Sequence, residues 1–271
     1  MNRELTGMQS GQRAMKWLLL MAAIAMPFIA WLAQRQTFGP DNATLSDRYP
    51  TLLVAAGYAF AIWGPIFVLD LLFAVWQATA LRAEGTPVSR IRGLAALGFA
   101  FTAAWMVVFP MQLFWLALLV IWGAWACLAA AMLRLARFNL VAAEFWLALL
   151  PVALHTSWLS LAVFLNTAQV VVAYKLLSTV QQLPWSLVLW VLAAVLVLWV
   201  NTRLQRGNAV FALAALWGLV GVFVEQSKNR LAGADASAWV AATLAAVLLA
   251  QTVYLYLRRY RADAPRLRTS A

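Results

Sequence analysis

Two ionisable side chains stand where their surroundings are almost wholly apolar. Asp70 lies in GYAFAIWGPIFVLDLLFAVWQ (57–77), and His155, the only histidine, lies in LLPVALHTSWLSLAVFLN (149–166). A charged group in the middle of a hydrocarbon layer costs about 2.5–3.5 kcal/mol on insertion scales, so each should face the protein interior and have a partner there. A carboxylate and an imidazole could pair with each other, or relay a proton. On a 3.6-residue period Phe60, Trp63, Phe67, Asp70, Ala74 and Gln77 fall within an arc of about 100°, with Ile62, Val68, Leu69 and Leu72 elsewhere. In the second string Pro151, His155, Trp158, Ala162 and Asn166 share an arc of about 80°. Each helix therefore has one aromatic and polar face.

The sequence holds 15 tryptophans, and those at expected span ends, Trp17, Trp31, Trp185, Trp199 and Trp239, need no role beyond anchoring at the membrane interface. Trp63, Trp105 and Trp158 lie deeper. A deep indole offers a flat wall to a planar ligand and needs a partner for its N–H. The string with Asp70 should descend from the outer side and the string with His155 ascend to it, which brings all three indoles to the outer half of the bilayer beneath the loop 34–50. An apolar cavity between helices with few polar groups is the usual ligand site of a bundle. Ala162 would leave room in it, and Asn166 would supply one polar anchor at its mouth. The ordinary alternatives are core packing for the indoles, a hydrogen-bonded interior imidazole for His155 and a structural pair for Asp70.

The elements that must hold these faces follow from composition. Of 271 residues 65% are hydrophobic and 11% charged, against roughly 45–50% and 25% in a soluble domain. The fold class is all-α, a polytopic transmembrane helical bundle. About eight spans are expected, over 17–33, 52–78, 93–109, 111–133, 145–165, 185–200, 209–224 and 236–257, with the polar stretch to Pro184 as an extension of the fifth or an interfacial helix. The first could instead be a cleaved signal peptide, although its apolar run is long and has Trp at both ends. The net charge of +11 reflects loop placement and not nucleic-acid binding: fifteen Lys and Arg fall on one side of this topology and five on the other. That asymmetry puts both termini in the cytoplasm. Lone Cys127 excludes an intrachain disulfide or a thiolate metal site, and no metal motif, nucleotide loop or nucleophile elbow occurs. No catalytic residue is expected, nor any metal ligand.

At these residues the sequence resembles the tryptophan-rich sensory protein family, also called the translocator protein or TspO/MBR family. GYAFAIWGPIF is similar to its second-span segment. WLSLAVFLN carries its Trp, Ala, Asn spacing, with Ala162 four and Asn166 eight residues after Trp158. Trp105 matches a tryptophan of the third span, and Pro151 suits the larger bacterial members. Three features depart from the pattern: the paired prolines ahead of the second span are missing, Thr102 stands where an Asn is usual, and His155 replaces an aromatic. The likeness covers about residues 15–170. This divides the chain into a five-helix core (1–175), three further helices (176–257), of which ALWGLVGV resembles longer bacterial relatives, and a basic cytoplasmic tail (258–271) expected to be disordered beyond its start.

The resemblance implies an integral membrane sensor or carrier, in a bacterial inner membrane, for a planar hydrophobic ligand. A tetrapyrrole such as porphyrin or haem would be that ligand, and no cofactor is required. Trp63, Trp105, Trp158, Ala162 and Asn166 would line the pocket, and Tyr58, Phe60, Phe67 and His155 complete the ligand-binding set, with Asp70 and His155 as the intramembrane polar pair. Expected partners are membrane lipids, the ligand and a second copy in a homodimer, with no nucleic acid. Two other classes stay open: a proton-coupled permease using Asp70 and His155, whose transport would follow a pH gradient, and a structural assembly protein, which no ligand would stabilise. An enzyme is the weakest reading.

Overall fold

In the structure, a computed structural model that describes residues 2–79, 86–204 and 208–268, eight helices are long and apolar enough to cross a membrane. They are α1 (Asn2–Gln34), α3 (Trp63–Thr79), α4 (Arg92–Val108), α5 (Phe114–Leu135), α6 (Ala142–Ala173), α7 (Leu183–Arg203), α8 (Asn208–Gln226) and α9 (Ala234–Arg268), with short α2 (Asn42–Arg48) in the first long loop. The protein is an all-α polytopic bundle. In the most apolar window of α6, 83% of residues are buried, against 17% for α1. α6 is therefore the axis: α3 and α5 pack on it from the N-terminal half, α7 and α8 from the C-terminal half, while α1 lies outside α3 and α4.

The sequence of α6 explains that place. Ser157, Ser160, Ala153 and Ala162 are small enough to let neighbouring backbones come close, the usual basis of helix association in lipid. Its hydroxyls also supply polar contacts: Trp125 Nε1 donates to Ser160 Oγ at 2.9 Å, and Ser157 donates to the Phe211 carbonyl. The helix opens with a π-helical turn, Phe145–Leu149, directly ahead of Pro151. Proline has no N–H for the carbonyl four residues back, and a widened turn accommodates that gap.

Several expected boundaries shift. The second span does not begin at Leu52: residues 52–56 are non-helical, Gly57–Ile62 form a 3₁₀ turn and the α-helix starts at Trp63. Phe60 is thus off the α-helical register assumed for it. The stretch to Pro184 holds no separate interfacial helix, since α6 continues to Ala173 and turns follow. The basic tail begins within α9, which runs to Arg268. Of the basic loop 81–92, residues 81–85 lie outside the described residues, as does Arg206 of the 202–208 loop. Arg92, counted with that loop, is buried at the start of α4 and donates from Nε to Gln77 Oε1 at 2.8 Å.

Contact between α4 and α5 is close enough to test. A Cβ added at Gly98 would lie 2.6 Å from Leu128 Cγ. Gly98→Ala should therefore destabilise the bundle by about 1–3 kcal/mol through overpacking, despite the better helix propensity of alanine. Unfolding in detergent micelles measures this, and a neutral or stabilising result would show that the two helices do not meet there.

An aromatic intramembrane cavity as candidate functional site

Three helices and one turn bring the deep indoles together. Trp63 opens α3, and its ring lies 6.4 Å from that of Trp105 on α4, nearly parallel, and 6.1 Å from that of Trp158 on α6, edge to face. Phe60, from the 3₁₀ turn, adds an edge contact to Trp158 at 5.9 Å. These rings, with Phe109, Ala162 and Leu165, enclose a cavity whose polar lining comes from Asn42, Ser46, Asn166 and Gln169. Trp105 Nε1 donates to Asn166 Oδ1 at 2.9 Å, and Asn166 Nδ2 donates to the Ala162 carbonyl, which fixes the amide's orientation. Trp158 Nε1 is buried with no partner among the described residues.

The cavity measures about 20 Å³, room for about one water. Two larger spaces adjoin it. A groove of about 480 Å³ runs between α1 and α3 along Pro27, Trp31, Phe60, Trp63, Phe67 and Met106. A polar cleft of about 360 Å³ lies under Ser46, Asp47 and Pro50 and against Glu225, Lys228 and Arg230 at the end of α8. Phe60 lines all three.

Of the residues expected at the site, Phe60, Trp63, Trp105, Trp158, Ala162 and Asn166 line the cavity. Tyr58 does not: it is exposed and set edge-on against Trp217 of α8, because the 3₁₀ turn points it away from Phe60. Phe67 is stacked on Trp63 but lines the α1–α3 groove. His155 is one turn below, edge-on to Trp63, and forms no part of the cavity wall. Asn42, Ser46, Val54 and Gln169 were not expected there. Gln169 had a signal, standing three residues after Asn166 and so on the same helix face; Val54, in irregular backbone, had none.

Beneath the indoles lies a closed polar set. Asp70 and His155 are fully buried, and His155 Nδ1 is 2.7 Å from Asp70 Oδ2. His155 Nε2 is 3.2 Å from Thr102 Oγ1, and that hydroxyl also lies 3.0 Å from the Gly98 carbonyl. A carbonyl can only accept, so the one hydroxyl proton goes to Gly98 and Nε2–H donates to Thr102. A proton lies between Nδ1 and the carboxyl, and a single shared one makes the pair neutral as a unit, the form a membrane interior tolerates. Phe99 covers the imidazole face at 5.8 Å. Two departures from the family pattern, Thr102 and His155, are thus in contact with each other.

Fold and site together define a polytopic helical membrane protein with an aromatic cavity in its interior. The chain belongs to the TSPO-like protein family, whose model matches residues 16–254 and so extends through all eight spans, beyond the first five. Comparison with curated proteins and with solved structures gives no match.

Proposed function

We propose that this protein is a membrane receptor or carrier for a planar, largely apolar ligand of the tetrapyrrole kind, received at the wall formed by Trp63. The observation that supports this best is the packing of Trp63 against both Trp105 and Trp158 beside a buried N–H on Trp158 that has no partner among the described residues. Stacked indoles give large apolar area at small rotamer cost, and the free donor suits an acceptor on the ligand's edge.

Volume supports one seat for the ligand over the other. Small-molecule sites are typically about 300–1,000 Å³; the groove between α1 and α3 falls in that range and the cavity of about 20 Å³ does not. The ligand's body rests in the groove against Trp31, Phe67 and the outer face of Trp63, and reaches the cavity only when Phe60 or Trp63 turns aside. Quenching of tryptophan fluorescence by protoporphyrin tests this. Trp63→Ala should weaken saturable binding about 10–100-fold, the scale of a truncated aromatic anchor. Saturable binding of equal affinity in wild type and variant would put the ligand elsewhere.

The buried Asp70–His155–Thr102 set favours one other reading, a proton-coupled permease. Solute flux in proteoliposomes that follows an imposed pH gradient, and stops in Asp70→Asn, would distinguish it from a receptor.

A further inference from the structure

The segment 51–56, which supplies Val54 to the lining of the cavity, is an anomaly for a membrane protein. It is buried, with each residue at most 7% exposed, yet it is neither helix nor sheet. Buried backbone of that kind must find partners for its polar groups without a regular ladder. Within the segment the Leu53 N–H donates to Thr51 Oγ1 at 3.3 Å and the Val54 N–H to the Thr51 carbonyl at 3.5 Å, and further partners come from the C-terminal helices. Gln226, at the end of α8, donates from Nε2 to the carbonyls of Thr51 and Val54 at 3.1 and 3.0 Å. Ser237 of α9 donates to the Leu52 carbonyl and itself receives the Trp190 N–H. Gln182 donates to the Pro50 carbonyl at 3.1 Å, and Trp217 of α8 donates to the Ala59 carbonyl at 2.8 Å. In the other direction the Ala56 N–H donates to the Gly221 carbonyl at 3.0 Å. Gly221 allows that approach, since a Cβ there would lie 2.7 Å from Ala59 Cβ.

We propose that α7, α8 and α9 act as a clamp that sets the ligand site: Gln226, Trp217 and Ser237 are positioning residues that hold 51–59, and through it Val54 and Phe60, in the closed arrangement. Phe60 borders the cavity, the membrane-side groove and the polar outer cleft, so the clamp governs whether these spaces join. The 3₁₀ turn that carries Phe60, Gly57–Ile62, overlaps the end of the clamped segment, so the bond from Trp217 to the Ala59 carbonyl holds the turn directly. Gln226 is the central member because one amide group satisfies two carbonyls with a single side chain, and no other described side chain donates to either. The part of this inference that concerns the ligand rests on the receptor reading above; the part that concerns the wall does not.

The experiment uses the full chain in nanodiscs and two readouts. Amide hydrogen exchange of peptides spanning 51–60 is measured without ligand, and the dissociation rate of protoporphyrin is measured by recovery of tryptophan fluorescence. Gln226→Leu should raise exchange in 51–60 about tenfold, the factor expected for losing one or two neutral hydrogen bonds, and leave α4 and α5 protected as in wild type. Release of protoporphyrin should quicken by a similar factor. Trp217→Phe, which removes one N–H and little volume, should give a smaller change in the same peptides. Asn201→Leu serves as control, because Asn201 bonds to Gln251 and Thr252 within the C-terminal helices and not to 51–59. Unchanged exchange in 51–60 for both Gln226→Leu and Trp217→Phe overturns the clamp. So does an equal rise in the Asn201→Leu control, or a rise spread evenly over α4 and α5. If wild type shows no saturable protoporphyrin binding, the receptor reading fails while the exchange data still decide the clamp.

Discussion

His155→Leu should destabilise the folded protein by about 3–5 kcal/mol, whereas the double variant Asp70→Leu with His155→Leu should return to within about 2 kcal/mol of wild type. Among the described residues, the single change removes the only group within hydrogen-bond distance of Asp70 Oδ2, and Asp70 Oδ1 already has no partner there. The carboxyl is fully buried, so it must take up a proton or remain an uncompensated charge. Removing both members takes away the penalty with the pair and leaves an apolar layer between Phe99 and Trp63. Asp70→Leu alone should be milder, because it leaves an imidazole that keeps its bond to Thr102 and no buried carboxyl. Reversible unfolding in mixed micelles gives the three values. Equal destabilisation in the single and double variants would mean that the pair contributes net stability of its own, and that reading of the buried set would have to go.

Trp158→Ala should cost about 3–5 kcal/mol, more than Trp158→Phe, which should stay below about 2 kcal/mol. Trp158 is 2% exposed and is held by Phe60, Trp63 and the bare backbone of Gly218 on α8, where an added Cβ would lie 3.5 Å from the indole ring. Alanine leaves a void that these rigid neighbours cannot close. Phenylalanine keeps most of the volume and loses only an N–H that has no partner among the described residues, so no hydrogen bond is lost with it. Melting curves of the purified variants decide the order, and equal loss in both would show that the indole N–H is in fact satisfied. The same geometry revises the part expected of Ala162. A space of about 20 Å³ cannot take a benzyl group, so Ala162→Phe would overpack the bundle by about 1–3 kcal/mol instead of plugging an open pocket.

How far the sequence discloses this arrangement depends on which residues lie in regular helix. Trp158, Ala162 and Asn166 follow from a 3.6-residue period because α6 is regular where those residues stand, whereas Trp105 comes from its depth and from the resemblance. Asp70 and His155 could be matched because the cost of isolated charge leaves little choice, and Thr102 then completes the set. Tyr58 falls outside the cavity because residues two apart point to different sides in an α-helix and in the 3₁₀ turn alike, so it could not share a wall with Phe60. On the face of α6 the periodic signal is weak for another reason. α6 is buried nearly all round, so Pro151, His155, Trp158, Ala162 and Asn166 are no more buried than their neighbours. Nothing in residues 51–56 taken alone announces a buried wall, since its partners are single polar side chains on helices far along the chain.

That distance bears on how the protein is made. Gln226 meets Val54 and Thr51 across 172 and 175 residues of sequence, and Ser237 meets Leu52 across 185. A ribosome adds about 5–20 residues per second, so these carbonyls wait roughly ten seconds or longer for the side chains that will satisfy them. During that interval the nascent first half holds an irregular segment whose carbonyls lack the partners that the finished bundle gives them, and hydrocarbon offers none. The segment must stay at the aqueous surface, or borrow partners from lipid headgroups or the insertion machinery, until α8 and α9 are in place. Maturation of the aromatic cavity is thus among the last events of biogenesis, although every indole that lines it is synthesised before residue 160.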